Sequence, residues 1–459
     1  MYITRQIHIK KGHPLYQYFK TYCLLSNNLY NTVCFYLRQY ASSCKSLETY
    51  KPLFEKQMEI YSLVNEVTND TKFSPTKNSW LTYNQLDYIF KVTDNIDYRN
   101  LPAQVNQQTI KLALRDFKSY FEKIKNYKKN PQEYNGMPKL PRYKKKGGMA
   151  TTIFTNQVCE IKENKYLKFP KTKTLINIGK CGEVGTLKEV RIIPNLLGFT
   201  LEVVMEQTYP NEISLTKNEE LLKQYKDLNE CRERTLAIDT GLSNLCAVVN
   251  NFGEQPFLIK GNILKSINQR YNKKMSYYRS MAKTLNGLDY TKRMHRLTQK
   301  RNNQVKDYMH KTSNYIVKYA IKHNVRLVIV GHNKEQKQNI NLGTQTNQNF
   351  VQIPTAILIN QLRYKLNKVG IQFVEVEESY TSKASFIDND TLPTLSAKNK
   401  NKEHIFSGKR VKRGLYLTKE KLLVNADING AANILRKVFP KVTRWDKGIV
   451  DVPVVVKVA

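Results

Sequence analysis

The stretch Arg234 to Asn250, RTLAIDTGLSNLCAVVN, constrains this chain more than any other. Leu236, Ala237 and Ile238 form a short apolar run that ends in Asp239. Thr240 and Gly241 supply a turn, and the β-rich run Leu245 to Val249 comes at once after it. Asn250, Asn251 and Gly253 signal a second turn before Pro256 to Ile259. The pattern predicts an antiparallel meander of three strands with a carboxylate at the end of the first. Such an acid is either solvated at the strand end or, if buried, paired or holding a cation.

The residues downstream favour a held cation. Leu264 to His323 repeats apolar residues at helical spacing and breaks at Asn286-Gly287, which predicts two helices in a hairpin. Arg326 to Val330 reads as a buried strand, Ile353 to Lys368 as an amphipathic helix opened by Pro354, and Ile371 to Val376 as a strand running into Glu377-Glu378. A polar insertion, Asp388 to Leu415, precedes a last helix from Asp427, whose small residues Gly430, Ala431 and Ala432 allow close approach to a sheet. Three acids thus stand at element ends: Asp239, Glu378 and Asp427. Carboxylates on neighbouring strand ends repel unless divalent cations hold them, and Mg²⁺ suits oxygen ligands plus a phosphate. Two such ions about 4 Å apart support hydrolysis of a phosphodiester without a covalent intermediate.

The charge balance points to the same substrate. Lys and Arg total 75 against 38 Asp and Glu, a net charge of +37 over 459 residues, which predicts a polyanionic partner. No apolar run approaches the roughly 20 residues that span a bilayer, and the first residues lack a signal-peptide core, so a membrane partner is not expected. The seven cysteines (Cys23, Cys34, Cys44, Cys159, Cys181, Cys231 and Cys246) are widely spaced and read as reduced thiols. Basic residues crowd the hairpin: Arg270, Lys273, Lys274, Arg279, Arg293, Arg296 and Arg301 keep one sign for several turns, which favours a nucleic acid lying alongside.

Upstream, Met1 to Ile9 reads as a strand. Pro14 to Tyr40, Leu47 to Asn65, Trp80 to Lys91 and Ala103 to Lys125 read as helices, the first with Tyr18, Tyr22, Leu25, Leu29, Val33, Tyr36 and Leu37 on one face. Asn126 to Gly148 is rich in Pro, Gly and Lys. It is either a solvated linker or, with Arg142, Lys144, Lys145 and Lys146 around Tyr143, a strand tracking a phosphate backbone. Ala150 to Gln207 shows closely spaced strands of a small barrel, closing with the N-terminal strand.

AIDTGLSNL, EESYTSKAS and NADINGAANIL together resemble the three parts of the split RuvC nuclease domain of the TnpB family, transposon-encoded RNA-guided DNA endonucleases related to compact type V CRISPR effectors. The likeness is strongest from about Arg232 to Val438 and weaker through LPAQVNQQTIKLALRDFKSYF and GMPKLPRYKKKGG. It implies an α/β multidomain chain: a β-barrel wedge domain at 1–12 and 150–210, and a helical recognition domain with basic linker at 13–149. An RNase H-like (RuvC) nuclease domain comes next at 232–384 and 416–440, with an insertion at 385–415 and a C-terminal tail at 441–459. It also implies a guide RNA, double-stranded target DNA, two Mg²⁺ ions and a prokaryotic cytoplasm, with the protein nucleoid-associated when on DNA. Asp239 and Asp427 take the first and third catalytic positions. The alternative is a nuclease-inactive RNA-guided repressor.

Two departures stand out. In relatives the strand matching RLVIV ends in a catalytic Glu; here the chain runs on through Val330, Gly331, His332 and Asn333, and Glu335 lies too far on. Glu378, on the adjacent strand end about 4.8 Å away, is expected to supply the missing oxygen. Glu377 points to the opposite face, so only one of the two can serve. Relatives also carry two Cys pairs in the insertion. Here Ser385 and Asp388 occupy the first, and no Cys lies beyond Cys246, so no structural zinc is expected. Lys409, Arg410 and Arg413 suit a loop that guides DNA to the site, or an ordinary solvated turn.

Overall fold

In the computed structural model the described residues are 2–69, 80–179, 185–209, 211–213, 217–228, 233–332, 353–393, 404–412, 414–442 and 452–458. The chain divides at Thr208 and Tyr209 into two units.

The first unit interrupts a sheet with helices. Strand β1 (Tyr2–Lys10) pairs antiparallel with β7 (Gly198–Glu206) along its whole length. Gly198 stands where the strands come closest: its φ is +148°, and a Cβ there would meet Ile9 O at 2.1 Å. Between them come α1 (Tyr16–Glu48), α2 (Glu55–Asn69), α3 (Tyr83–Val92), α4 (Ile96–Arg99) and α5 (Ala103–Lys129). Helix α3 opens on a reciprocal Thr82–Gln85 capping box. Strands β2 (Thr152–Thr155), β3 (Glu160–Lys162), β4 (Tyr166–Lys168), β5 (Leu175–Asn177) and β6 (Thr186–Asn195) complete the unit.

The closed barrel expected from the sequence does not form among the described residues. The strands pair as an open sheet, β1-β7-β6-β2, which includes the N-terminal strand as expected, and a separate one, β3-β4-β5. Helix α1 turns its expected face to the core, with the tyrosines of that face at its margin. It buries Phe19, Cys23, Leu29, Tyr30, Val33 and Leu37, leaving Tyr18, Tyr22 and Tyr36 part-buried at the margin with their polar hydroxyls. One core joins these helices to Phe154, Phe199 and Leu201 of the sheet. The basic stretch is strapped along α1. Asn31 donates to Lys144 O (3.0 Å) and accepts from Lys144 N (2.8 Å), Asn27 donates to Lys145 O (3.1 Å), and Arg38 lies 4.7 Å from the Tyr143 ring centre.

The second unit is built on a six-stranded sheet ordered β12-β11-β8-β9-β10-β16. The meander is β8 (Thr235–Thr240), β9 (Asn244–Asn250) and β10 (Phe257–Lys260), antiparallel as expected. Strands β11 (Leu327–Gly331) and β12 (Gln372–Val376) run parallel to β8 and beyond it. The tail adds β16 (Val454–Val456), parallel to β10. Both faces are covered. Leu236, Ile238, Val328 and Val330 pack beneath α8 (Lys292–Lys322) and α9 (Thr355–Lys368). Ala237, Ile329, Val374 and Val376 pack against α6 (Asn218–Asp227) and α10 (Ala426–Val438). Helix α7 (Asn262–Asn286) ends at Gly287, whose left-handed φ of +61° lets the chain turn into α8. Before α10 lies a small sheet, β13 (Lys409–Lys412), β14 (Leu415–Leu417) and β15 (Leu423–Asn425). Among the described residues no helix is long and apolar enough to cross a membrane.

Candidate active site

Side chains alternate across a strand, so the face each residue meets is set by its parity. On β8, Ala237 faces α10, and so therefore does Asp239. On β11, Ile329 does, and so does Gly331. Beyond β12, Glu378 keeps the parity of Val374 and Val376. The three positions lie at the carboxyl ends of neighbouring parallel strands, on the side where α10 begins.

The NADINGAANIL motif reads off as one device. Asn425 caps α10, its Oδ1 accepting from Asp427 N (3.0 Å) and Ile428 N (3.1 Å), which sets Asp427 in the first turn where the helix dipole favours an anion. Gly430 admits the acid of β8: a Cβ there would stand 2.7 Å from Asp239 Oδ2. Asn429 and Asn433, one turn apart, pin the segment after Glu378. Both donate to Ala384 O (2.8 and 2.7 Å), and Asn433 also donates to Thr381 O (2.9 Å). Thr381 in turn donates its hydroxyl to Glu378 O at 2.8 Å.

Asp239, Glu378 and Asp427 line one cavity of about 1050 Å³, together with Asn244, Lys260, Arg410 and Lys412. The space where a residue-331 side chain would emerge is taken: a Cβ on Gly331 would lie 3.0 Å from Glu378 Oε2 and 2.4 Å from Ile434 Cδ1. Burial pushes the Asp239 carboxyl up from 3.8 to about 8, and the negative charges of Glu378 and then Asp427 push the same way, against Arg410. Asp427 is the oriented member. Asn244 donates to its Oδ2 at 2.6 Å, and the Arg410 guanidinium lies 3.4 Å from its Oδ1. Neither partnership was read from the sequence, although Asn244 sits within the AIDTGLSNL motif.

Among the described residues no three His, Cys, Asp or Glu side chains gather closely enough to hold a metal ion by themselves. The donors still suit a hard divalent cation. All three are carboxylates, Asp239 is strained by its neighbours' charge, and Mg²⁺ takes one or two protein carboxylates and completes its shell with water and phosphate. Glu377 turns away from the cavity but not to the opposite face expected of it, because β12 has ended: it accepts from Lys437 Nζ of α10 at 2.6 Å and from Ser379 N at 2.8 Å.

The predicted basic residues fall in three places. Arg142, Lys145 and Lys146 are exposed on the strap, and Lys144 lies over the Tyr30 ring at 4.1 Å. On the hairpin, Arg270, Lys274 and Arg301 line a cleft of about 120 Å³. Arg301 is held by Asn268 at 2.8 Å, Arg293 lies over Tyr278 at 4.4 Å, and Lys273, Arg279 and Arg296 are exposed. Lys409 is exposed on β13, and only Arg410 of the insertion's predicted residues reaches the acids. Arg413 and Glu335 lie outside the described residues.

Residues 215–337 match a family described as a probable transposase, OrfB_IS605, and residues 356–434 match the Cas12f1-like TNB domain. Over these two stretches the chain is similar to TnpB-type transposases and to Cas12f1-like proteins. The TnpB-type matches cover the meander, the hairpin and the segment from α9 into α10, and so include Asp239, Glu378 and Asp427. No curated protein matches the chain. Solved structures resemble it distantly. A Cas12f1–sgRNA–target DNA complex is 14% identical over 94% of this chain and 98% of that one, with a TM-score of 0.31. The mini-RNA-guided endonuclease CRISPR-Cas_phi3 is 9% identical over 96% and 92%, with a TM-score of 0.44. The C2c1 protein of Alicyclobacillus acidoterrestris with single-guide RNA is 8% identical over 82% and 65%, with a TM-score of 0.33.

Proposed function

We propose that this chain is an RNA-guided DNA endonuclease with a single RuvC-type site. Its six-stranded sheet has the strand order expected of an RNase H-like domain: three antiparallel strands, then two parallel ones on the far side of the first. One observation carries the reading. A carboxylate from the end of β12 fills the space above Gly331, beside the acids of β8 and α10, so three acids border one cavity. An acidic triad lined with Lys260, Arg410 and Lys412 suits a phosphodiester and few other substrates.

Asp239, Glu378 and Asp427 would hold Mg²⁺, which when bound supplies Lewis-acid polarisation of the phosphate and lowers the pKa of the attacking water. The remaining tasks fall to the chain. Asn244 fixes the rotamer of Asp427, leaving its Oδ1 toward the cavity beside Arg410. Gly430 lets Asp239 sit against α10 without a clash. Arg410, Lys260 and Lys412 draw the DNA backbone in and offset charge on the phosphate under attack. The first unit, with its strap of Arg142, Lys144, Lys145 and Lys146, serves as wedge and recognition region for guide RNA and target duplex, in a prokaryotic cytoplasm.

The experiment is incubation of the purified chain, with the RNA that accompanies it, with matching duplex DNA and Mg²⁺. Cleavage that Asp239→Ala abolishes is expected. The lack, among the described residues, of a three-acid group close enough to hold a metal by itself favours one other reading, a nuclease-inactive RNA-guided binder. Tight binding of the matched duplex without cuts would establish that reading, and cutting by RNA-free protein would overturn both.

A further inference from the structure

The small sheet that brings Arg410 to the acids has little to hold it in place. Its strands are three or four residues long, and β13 is exposed throughout. Strands this short are not stable alone. Part of the fixation is packing. Tyr416 is fully buried and donates its hydroxyl to Lys383 O at 2.8 Å. Gly408 lets the chain lie flat against β14, since a Cβ there would meet Leu417 O at 2.5 Å and the Tyr416 ring at 2.6 Å.

The rest is carried by two carboxylates outside the acidic triad. Asp390 Oδ1 accepts from Ser407 Oγ at 2.6 Å, its Oδ2 accepts from Ser385 N at 2.7 Å, and Ser407 N lies 3.2 Å from both oxygens. Asp388 Oδ2 accepts from Lys419 N at 2.8 Å, 31 residues away, and lies 3.2 Å from Ser407 Oγ. Ser407 stands three residues before Arg410, at the entry to β13. Lys419 stands in the turn between β14 and β15. The two acids therefore grip the sheet at two points. Hydrogen bonds to an ionised acceptor are roughly twice as strong as neutral ones, so this grip adds materially to the few ladder bonds of so short a sheet. The acids are themselves anchored to α10. The Arg436 guanidinium donates to Asp390 O, Ser385 O (3.4 Å) and Phe386 O (3.5 Å), and Asn429 Oδ1 accepts from Phe386 N at 2.9 Å. The path from α10 through the acids to Ser407 and Arg410 ends back on α10, at Asp427.

We propose that Asp388 and Asp390 are positioning residues, a carboxylate clamp that holds Arg410 in place at the cavity beside Asp427. The proposal rests on the nuclease reading for its catalytic consequence, but not for the clamp itself. Its test uses the full chain with its guide RNA and a matching duplex. Asp390→Ala, and the surface change Ser407→Ala, which cannot unfold the chain, should bind target within about twofold of wild type. Each should cut about tenfold slower, through kcat rather than KM. Asp390→Asn, which keeps one acceptor oxygen, should recover part of the rate. Arg410→Ala should mask the clamp: the double variant Asp390→Ala/Arg410→Ala should cut no slower than Arg410→Ala alone. Rates near wild type, or effects that multiply in the double variant, would overturn the proposal. Should the wild-type chain not cut, the nuclease reading fails and amide exchange decides the clamp. Faster exchange at Ser407 and Ser385 in Asp390→Ala, and at Lys419 in Asp388→Ala, supports it; unchanged protection refutes it.

Discussion

Strands β11 and β12 run side by side, parallel and in register from Leu327↔Gln372 to Gly331↔Val376. Both carry buried apolar residues to the same edge of the sheet, yet one stops at a glycine and the other runs on into two glutamates. On the proposed reading, the comparison teaches that such a site fixes where a carboxylate oxygen must be, not which strand delivers it. Neighbouring strands lie about 4.8 Å apart, within reach of a glutamate side chain. The glycine is half of the arrangement, because any larger residue at 331 would compete with Glu378 Oε2 for the same space.

That equivalence can be broken directly. Glu378→Gln keeps the shape and removes the charge, and is expected to slow cleavage by roughly a thousandfold while target binding persists. The sharper test returns the acid to β11. Combining Glu378→Ala, which vacates the space above Gly331, with Gly331→Glu, in an Ile434→Val background that removes the crowding Cδ1, should recover at least about tenfold of the rate that Glu378→Ala loses. Cleavage assays on the guide-loaded chain read both. No loss on Glu378→Gln would place the third acid elsewhere.

Much of this was legible in the sequence, for a physical reason. The meander, the two parallel strands and α10 are all written in short-range patterns: parity, turn residues and a helix cap. So the placing of Asp239, Glu378 and Asp427 at element ends needed no tertiary information. The parts that were missed depend on long-range register. Nothing near Gly331 says that a side chain from residue 378 will occupy its space. Nothing near Arg410, in a run of exposed cations, says that it turns toward Asp427. The face of α1 was legible, although periodicity did not tell its buried Leu29, Val33 and Leu37 from Tyr18, Tyr22 and Tyr36, which settle part-buried against the same core. The closed barrel was misread because strand count alone does not say which strands share a ladder.

A second acid depends on a glycine in the same way, but from a helix. Gly331 leaves room for Glu378, whereas Gly430 leaves room for Asp239, and here the neighbour is a helix that cannot step aside. Gly430→Ala should raise helix propensity by roughly 1 kcal/mol and yet lower cleavage by about 10²-fold, because the methyl displaces Asp239 Oδ2. A stability gain without a loss of rate would show that the Asp239 position is not critical.

The proton on Asp239 gives a smaller and reversible effect. Its folded carboxyl keeps a proton up to about pH 8, whereas an unfolded one loses it near the ordinary 3.8. Between these values the folded state binds more protons, so this group's contribution is fully present below the lower value and is lost as pH rises through the upper one. Melting of the metal-free chain should therefore drift downward from pH 5 to pH 8. Asp239→Asn should flatten that drift, and millimolar Mg²⁺ should reduce it by replacing the proton. A drift unchanged by Asp239→Asn would assign the titration to another group.

The smallest effect on cleavage belongs to the other glutamate of the pair. Glu377 and Glu378 are adjacent and lie beyond the end of β12, where their side chains part: Glu378 to the cavity, Glu377 to Lys437 near the far end of α10. Lys437 is nearly buried, and burial already lowers its pKa, with Glu377 acting to restore it. Glu377→Gln should thus leave the cleavage rate within about twofold of wild type. It should cost stability of about 1–2 kcal/mol, at the modest end for such a pair because Glu377 itself is about a third exposed. Chemical denaturation beside a cleavage assay separates the two quantities. If Glu377→Gln instead stopped cleavage while Glu378→Gln did not, the roles of the two glutamates would be reversed, and with them the lesson drawn from β11 and β12.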